Sequence, residues 1–357
     1  MVDWNNPSVS VIVPNFNGGR LAVECVSSIL ASSYRNFELL LVDNASTDST
    51  LSEIESKFGN DSRLRIIRLD RNYAYTGAIN VAFGYTRGEL IVFMNNDTIA
   101  EEDWLAELVK SFLLVPNVGV AQAKLLQMDD PQRLQNGGGM IDTLGFITRR
   151  GRGHDEREYN TLDRIFFASG ACLLTSRRIL REVGLPDTKF LMIDDADLGW
   201  RVRLRGYDIV FVPSARVQHR GSATLRGGRL AETRIYQAYF EHLAMLVKNY
   251  SLGVLPKIMA LVVFLRSLRI LSFIANRRLA LAKVAALGIL RVVRESKSLW
   301  RDHLFVNHTV RRIPDSALMA LMKDLQKEET LFGKVSFRKR RLFTLWSKDG
   351  RLLIRLG

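Results

Sequence analysis

Four short, β-branched or apolar runs punctuate the first hundred residues: Ser8–Val13 (SVSVIV), Phe37–Val42 (FELLLV), Leu64–Leu69 (LRIIRL) and Glu89–Met94 (ELIVFM). Between them, Gly19–Ser33, Thr47–Phe58 and Tyr75–Thr86 space their apolar residues at the helical period. Strands alternating with helices of this length predict crossover units and a mostly parallel α/β sheet with helices on both faces. Asp48, Ser49 and Thr50 are suited to open the second helix, because their side chains satisfy free amide donors. A fourth helix is expected near Ala100, where Glu101, Glu102 and Asp103 favour its positive end.

Residues 129–165 lose the period. DDPQRLQNGGGMID and TRRGRGHDEREYN are rich in glycine and charge, and read as a long loop able to order over a ligand. Structured patterns resume at Phe166–Leu174, in a helix from Ser176, in FLMIDDADLGWRVRLRGYDIVFVP and in a helical stretch over 230–250. The expected division is a body over 1–250, its two halves meeting at about residues 125 and 126, followed by a basic, mainly helical region over 251–357.

Charge sharpens that division. The 357 residues carry a formal net charge of +14, yet residues 1–250 hold 29 Lys/Arg against 30 Asp/Glu, and residues 251–357 hold 22 against 7. A neutral body with a basic attachment argues against a nucleic-acid coat. Within 254–294 the longest uncharged run is the eight residues Ile258–Leu265, short of the ~20 that span a bilayer. On one continuous helix at about 100° per residue, all of Arg266, Arg269, Arg277, Lys283, Arg291 and Arg294 fall within an arc of roughly 120°, and Arg278 falls outside it. An apolar helix with a basic stripe has the composition of an interfacial membrane helix, and the tail KVSFRKRRLFTLWSKDGRLLIRLG would suit anionic headgroups too. The same helices could instead pack as a buried pair with snorkelling arginines, or form a homodimer seam. Cys25 and Cys172 are too few for a disulfide framework or zinc site, and Met1–Pro7 does not read as a secretory signal, so a reducing, cytoplasmic setting is expected.

Candidate chemistry is carboxylate chemistry. No GxxxxGK[ST], GxGxxG after a strand, nucleophile elbow or HExxH is present. Asp43 closes the second strand, and Asp97 follows the fourth in Asn95-Asn96-Asp97-Thr98. Open parallel sheets bind ligands at the carboxyl ends of strands, and oxygen ligands on a tight turn there suit a hard divalent cation sharing its shell with phosphate. His219, in QHRGSAT, could add a ligand. Alternatively, Asp97 only caps the helix expected near Ala100. Asp194, Asp195 and Asp197 crowd one helix start; they either cap it or supply a general base toward a hydroxyl.

Taken together, the segments from about residue 8 to 250 resemble the family 2 glycosyltransferases of the GT-A, nucleotide-diphospho-sugar fold, and among them bacterial rhamnosyltransferase-like members of cell-surface polysaccharide synthesis. VSVIVPNFNGG resembles the first strand and nucleotide-binding turn, with Pro14, Asn15 and Asn17; LLLVDNASTDST resembles the second, setting Asp43 against the base. LDRNYAYTGAINVAFGYTRGELIVFMNNDT resembles the stretch into the metal motif, so that Arg71, Asn72, Gly77, Asn80 and Asn96 would line the donor site and Asp97 would be the last acid of a DxD-type motif. FLMIDDADLGWRVR resembles the acceptor-side motif: Asp195 takes the catalytic-base position, with Asp194, Asp197, Trp200 and Arg201 on the acceptor side. VQHRGSAT makes His219 a metal or pyrophosphate contact. Two departures are the Asn-Asn-Asp reading of the metal motif and Phe240-Glu241 where many relatives carry Arg-Asn.

The resemblance implies inverting transfer of a sugar, rhamnose being one candidate, from a dTDP- or UDP-sugar with Mg²⁺ or Mn²⁺. The acceptor would be a lipid-linked or glycan hydroxyl, reached by a peripheral enzyme on the inner face of the plasma membrane. Rival readings are a silent subunit of a polysaccharide synthase complex, a nucleotidyltransferase and a nucleic-acid-binding protein. The nucleotidyltransferase would want a Gly-rich basic loop where PNFNGG stands.

Overall fold

The structure is a computed structural model and describes residues 6–221 and 230–331. The tail over 334–357 and Ser222–Thr224 of the His219 segment therefore lie outside the described residues.

Strands β1 (Val9–Asn15), β2 (Phe37–Asp43), β3 (Leu64–Arg68) and β4 (Leu90–Met94) run parallel in the spatial order β3-β2-β1-β4. Every residue of β1 and β4 is buried, the burial that produces continuous apolar runs in sequence. Their crossovers are α1 (Gly19–Leu30), α2 (Thr50–Phe58) and α3 (Ala74–Phe83). Helix α1 buries Ala22, Val23, Cys25, Val26, Ile29 and Leu30, a single apolar stripe. Asp48 opens α2 as expected, its carboxylate accepting from the Thr50 amide at 3.2 Å and hydroxyl at 2.6 Å.

The fourth helix is displaced from its expected start. Thr98–Ala100 forms strand β5 instead, and α4 covers Trp104–Leu114. Asp97 consequently caps no helix. Beyond β4 the sheet continues through β11 (Cys172–Ser176), antiparallel to both neighbours, to β6 (Val118–Gln127) and β12 (Asp208–His219), which are parallel to each other. Strand β5 pairs with the end of β12, setting Thr98 opposite His219. Ser176 caps α5 (Arg177–Val183) by accepting from the Ile179 amide at 3.2 Å. Helix α6 (Asp194–Arg205) stops at Gly206, whose φ of 100° suits a residue without a Cβ.

The expected loop over 129–165 is an ordered insertion. Strand β7 (Leu134–Asn136) pairs with β6, β8 (Gly139–Ile141) and β9 (Ile147–Arg149) form a hairpin, and β10 (Asp163–Arg164) pairs with β12. Short strands held by backbone bonds and ion pairs such as Arg150–Asp163 leave no hydrophobic period to read.

The C-terminal helices are α7 (Leu230–Asn249), α8 (Leu255–Ala275), α9 (Leu279–Arg294), α10 (Ser296–Leu304), a π-helical turn over 305–310 and α11 (Asp315–Leu331). The continuous striped helix expected over 254–294 is broken: Arg277, at φ 56°, turns the chain between α8 and α9. The break resets the helical phase, and two of the stripe's arginines face inward. Arg266 donates to His242 Nδ1 at 2.8 Å, and Arg291 stacks on Phe240 at 3.7 Å. The outer faces stay apolar, with Phe264, Leu271, Leu290 and Val293 all more than half exposed. By length and composition α8 is also apolar enough to cross a membrane, a property hidden from a count of uncharged runs. A cluster of Phe166, Trp200, Phe240, Tyr250, Leu318 and Met322 joins these helices to α6. Both cysteines are buried and unbridged, and burial pushes the Cys25 thiol up to about 12.

Candidate active site

The parallel strands end around a cavity of about 530 Å³. Its floor comes from Pro14, Asn15 and Phe16 after β1 and from Asn95, Asn96 and Asp97 after β4. An asparagine network fixes the strand ends. Asn15 Oδ1 accepts from Asn96 Nδ2 at 2.8 Å, and Asn44 Nδ2 donates to Asn72 Oδ1 at 3.0 Å while its Oδ1 accepts from the Tyr73 amide at 2.8 Å. Gly18 is required here, since a Cβ would lie 2.4 Å from Asn15 Oδ1. Amide side chains carry no charge, so this network shapes the floor while leaving its electrostatics to the few ionisable groups.

Two of those groups meet because β5 pairs with β12. His219 Nε2 lies 3.1 Å from Asp97 Oδ1 and 3.2 Å from Asn95 Nδ2. Burial works against ionisation of Asp97, but the His219 side chain prevails and holds the carboxyl below its usual range. A carboxylate oxygen and an imidazole nitrogen at this separation fit two adjacent positions of a divalent ion, whose ligands at ~2.1 Å and right angles lie about 3 Å apart. His219 Nδ1 is buried and has no hydrogen-bond partner among the described residues. No third His, Cys, Asp or Glu joins the pair among the described residues, so such an ion would complete its shell with substrate oxygens and water.

Asp194 and Asp195 line the same cavity from the start of α6. Asp195 Oδ1 accepts from the Ala196 amide at 2.8 Å, and Oδ2 faces the Gly170 amide at 3.5 Å. Burial raises the Asp195 carboxyl against the pull of Arg149. Burial and the neighbouring Asp195 together raise Asp194 well above the usual range. A carboxylate whose pKa has moved toward neutrality is a stronger base, suited to taking a proton from a hydroxyl.

Of the residues expected from sequence, Pro14, Asn15, Asn72, Asn96, Asp97, His219, Asp194 and Asp195 line the cavity together. The others stand elsewhere. Asp43 is buried one residue behind the wall, accepting from the Ser46 amide at 3.3 Å, and Asn44 takes the wall position. Asn17 accepts from the Thr47 amide at 2.8 Å and ties two loops together. Arg71 lies over the Tyr73 ring, and Gly77 is buried in α3 against Tyr73. Asn80 donates to the Pro186 carbonyl at 2.9 Å.

On the acceptor side, Asp197, Trp200 and Arg201 are a correction: they form the structural backing of α6. Asp197 is fully buried and accepts from Arg201 Nε at 3.0 Å, Lys248 Nζ at 2.9 Å and Asn249 Nδ2 at 2.9 Å. Burial opposes its ionisation, and Arg201 and Lys248 overcome that to hold it low. Arg201 also donates to the Gly184 and Leu185 carbonyls at 2.8 and 3.1 Å. Trp200 packs edge-on against Phe166 and Tyr250. The reason is helical phase: residues two apart on a helix point about 200° apart, so Asp195 and Asp197 cannot share a face.

Sequence reasoning passed over Gln135, Asn136, Arg149 and Arg152, which the ordered insertion brings to the cavity, and Tyr75, which donates to the Gly170 carbonyl at 2.6 Å. It also left Glu241 without a role. This buried carboxylate accepts from the Leu191 and Met192 amides at 2.9 and 3.0 Å, fixing the loop that enters α6. The charged run TRRGRGHDERE was a signal for the arginines; no local signal marked Glu241.

The O-antigen biosynthesis protein RfbC of Myxococcus xanthus is 31% identical over 248 residues, 65% of this chain and 19% of that protein. An uncharacterized protein, y4gI, of Sinorhizobium fredii (strain NBRC 101917 / NGR234) is 33% identical over 234 residues, 61% of this chain and 25% of that protein. The chain thus spans a quarter or less of these relatives' lengths. Among solved structures, S. aureus TarS 1-349 aligns with a TM-score of 0.51 at 18% identity, covering 98% of this chain and 97% of that one. The mannosyltransferase PcManGT from Pyrobaculum calidifontis, in complex with GDP-Man and Mn²⁺, aligns at 0.52 and 19%, covering 94% and 86%. These likenesses show the GT-A fold. The Glycosyl transferase family 2 model matches residues 10–184, a segment that includes β1 to β4 and the loops that close the cavity floor.

Proposed function

We propose that the protein is an inverting glycosyltransferase. It moves a sugar from a nucleoside-diphosphate sugar, of the dTDP or UDP class, to a hydroxyl of a cell-surface glycan or its lipid-linked precursor. The observation that carries this reading is the presence in one cavity of an Asp97–His219 pair and a separate carboxylate, Asp195, with a raised pKa. The O-antigen biosynthesis role of the Myxococcus relative supports the cell-surface setting, and the GDP-Man and Mn²⁺ of the mannosyltransferase complex support a nucleoside-diphosphate-sugar donor and a divalent metal.

Asp97 and His219 would hold a Mg²⁺ or Mn²⁺ ion, which when bound supplies charge neutralisation for the departing diphosphate. Asn15, Asn96 and Asn72 shape the donor floor by the amide network described above. Asp195 accepts the proton of the acceptor hydroxyl as that oxygen attacks the anomeric carbon from the face opposite the diphosphate, which gives inversion. Burial and the neighbouring Asp195 raise the Asp194 carboxyl, which disfavours a second negative charge beside the reacting hydroxyl. The loop 190–193, fixed by Glu241, keeps Asp195 in register with that hydroxyl.

The same reading sets the enzyme on the cytoplasmic face of the membrane, held by residues 251–357. The exposed apolar faces of α8 and α9 support this, flanked by Arg269, Arg278 and Lys283.

A thermal-shift panel of UDP-, dTDP- and GDP-sugars, each with Mn²⁺ and with chelator, tests the function. One nucleotide is expected to raise the melting temperature only with metal, and Asp97→Ala to abolish the metal dependence. No shift with any donor would move the weight to a silent subunit of a synthase complex.

A further inference from the structure

Two cations at the cavity have no part in the reaction as written. The insertion over 128–165 matches its other arginines to acids: Arg133 with Asp130 at 3.7 Å, Arg150 with Asp163, Arg157 with Asp155 at 2.7 Å, and Arg164 with Asp208 at 3.4 Å. Arg149 and Arg152 form no ion pair among the described residues, and both line the cavity.

Their backbone is fixed. Arg149 pairs across the hairpin with Gly139, the Arg150 amide donates to the Gly138 carbonyl at 2.9 Å, and the Gly153 amide donates to the Leu134 carbonyl at 2.8 Å. Gly151, at φ 68°, lets the turn close over Leu134, whose Cδ2 would lie 2.5 Å from a Cβ there. Two like charges are thus carried on a rigid turn at the cavity without an ion-pair partner within 4 Å among the described residues. Two guanidinium groups lining one cavity suit the double charge of a phosphate monoester or a diphosphate, where a sugar carboxylate would bring only one charge.

The donor's own diphosphate is already served at the Asp97–His219 end. Arg149 lines the same cavity close enough to Asp195 for its charge to act on that carboxylate. We propose that Arg149 and Arg152 form a phosphoryl-binding subsite on the acceptor side, so that the acceptor carries a phosphate or diphosphate ester beside the sugar that is extended. This rests on the glycosyl-transfer reading and narrows its acceptor class. The ester could belong to a lipid carrier or be a phosphate monoester borne by a glycan; the chemistry recognised is the same.

The test uses the full chain saturated with Mg²⁺ and the nucleoside diphosphate that the donor panel selects. α-D-Glucose 1-phosphate and dodecyl phosphate, the latter below its micellar concentration, are titrated by calorimetry. The nucleotide-loaded protein is expected to bind a phosphate ester. Arg149→Gln with Arg152→Gln should weaken that binding at least about tenfold and change nucleoside-diphosphate affinity less than about twofold. The double lysine variant should recover part of the loss, since charge persists without the fork. Tighter binding of dodecyl phosphate assigns the ester to a lipid carrier, and tighter binding of glucose 1-phosphate assigns it to a glycan. The subsite is overturned if the nucleotide-loaded protein binds neither ester, or if the double glutamine variant loses nucleoside diphosphate instead. A wild-type protein that binds no nucleoside diphosphate at all is a different failure: it removes the transfer reading and the subsite with it.

Discussion

Helix α6 separates two clusters of acid. On its cavity side, Asp194 and Asp195 share one wall with no ion-pair partner within 4 Å among the described residues, and both carboxyls are raised. Behind it, Asp197 and Asp187 are bound by Lys248 at 2.9 and 2.7 Å, with Arg201 and Asn249 completing the knot, and both are lowered, Asp187 to about 2. Burial opposes ionisation in both places; partners decide the outcome. Structural charge is neutralised within the chain, and chemical charge is left for a substrate to answer.

The sharpest way to break this contrast is to remove one acid from each side. Asp195→Asn should lower the transfer rate by about 10²–10⁴ while leaving donor affinity and melting temperature close to wild type; near-normal turnover would end its assignment as the base. Asp197→Ala should do the reverse. It leaves Lys248 and Arg201 buried without their acid, and chemical denaturation should register a loss of about 3–5 kcal/mol.

Acid should then separate the clusters without mutation. For Asp195 the folded pKa lies above the ordinary value near 3.9, so kcat/KM should fall as pH drops through that raised pKa, earlier than for an unperturbed carboxylate. The same shift makes the ionised pair a burden on the fold, so its contribution to stability improves as pH falls. For Asp187 and Asp197, both depressed, the stabilisation is complete above the unfolded pKa near 3.9 and is lost as pH falls toward about 2, the folded value for Asp187. An Asp194→Asn, Asp195→Asn variant should lose the first response and keep the second.

The smallest effect lies farthest from both clusters. Phe264→Glu with Leu271→Glu, on an outward face, should leave stability and turnover on a soluble acceptor unchanged and reduce sedimentation with anionic vesicles. Unchanged sedimentation would reject this face as the membrane contact.

How much of this was legible follows from the physics of each part. Strands β1, β2 and β4 announced themselves because full burial in a parallel sheet writes an unbroken apolar run. The insertion did not, because backbone bonds and ion pairs hold it, and those have no period. Asp97 and His219 could each be named, but their meeting depends on β5 pairing with β12 across more than a hundred residues. Asp197 and Arg201 were legible in retrospect: an i, i+4 acid–base pair on a helix is the ordinary signature of a salt bridge. Glu241 bonds only to amides of a distant loop, which no local pattern encodes.

The last described helix has a consequence for how the molecule is made. Helix α11 sends Leu318, Met322 and Leu325 into the cluster that includes Met140 and Ile141 of β8, the first strand of the hairpin that carries Arg149. Arg311 and Asp315 tie its entry to the end of α7, Asp315 accepting from the Ser251 amide at 3.0 Å. During synthesis from the N-terminus, the sheet can assemble while the chain is still emerging, but the hairpin waits for partners encoded near the other end. A nascent chain would hold a completed cavity floor well before the wall that carries Arg149 is fastened, and truncation at residue 250 would leave that wall unsupported.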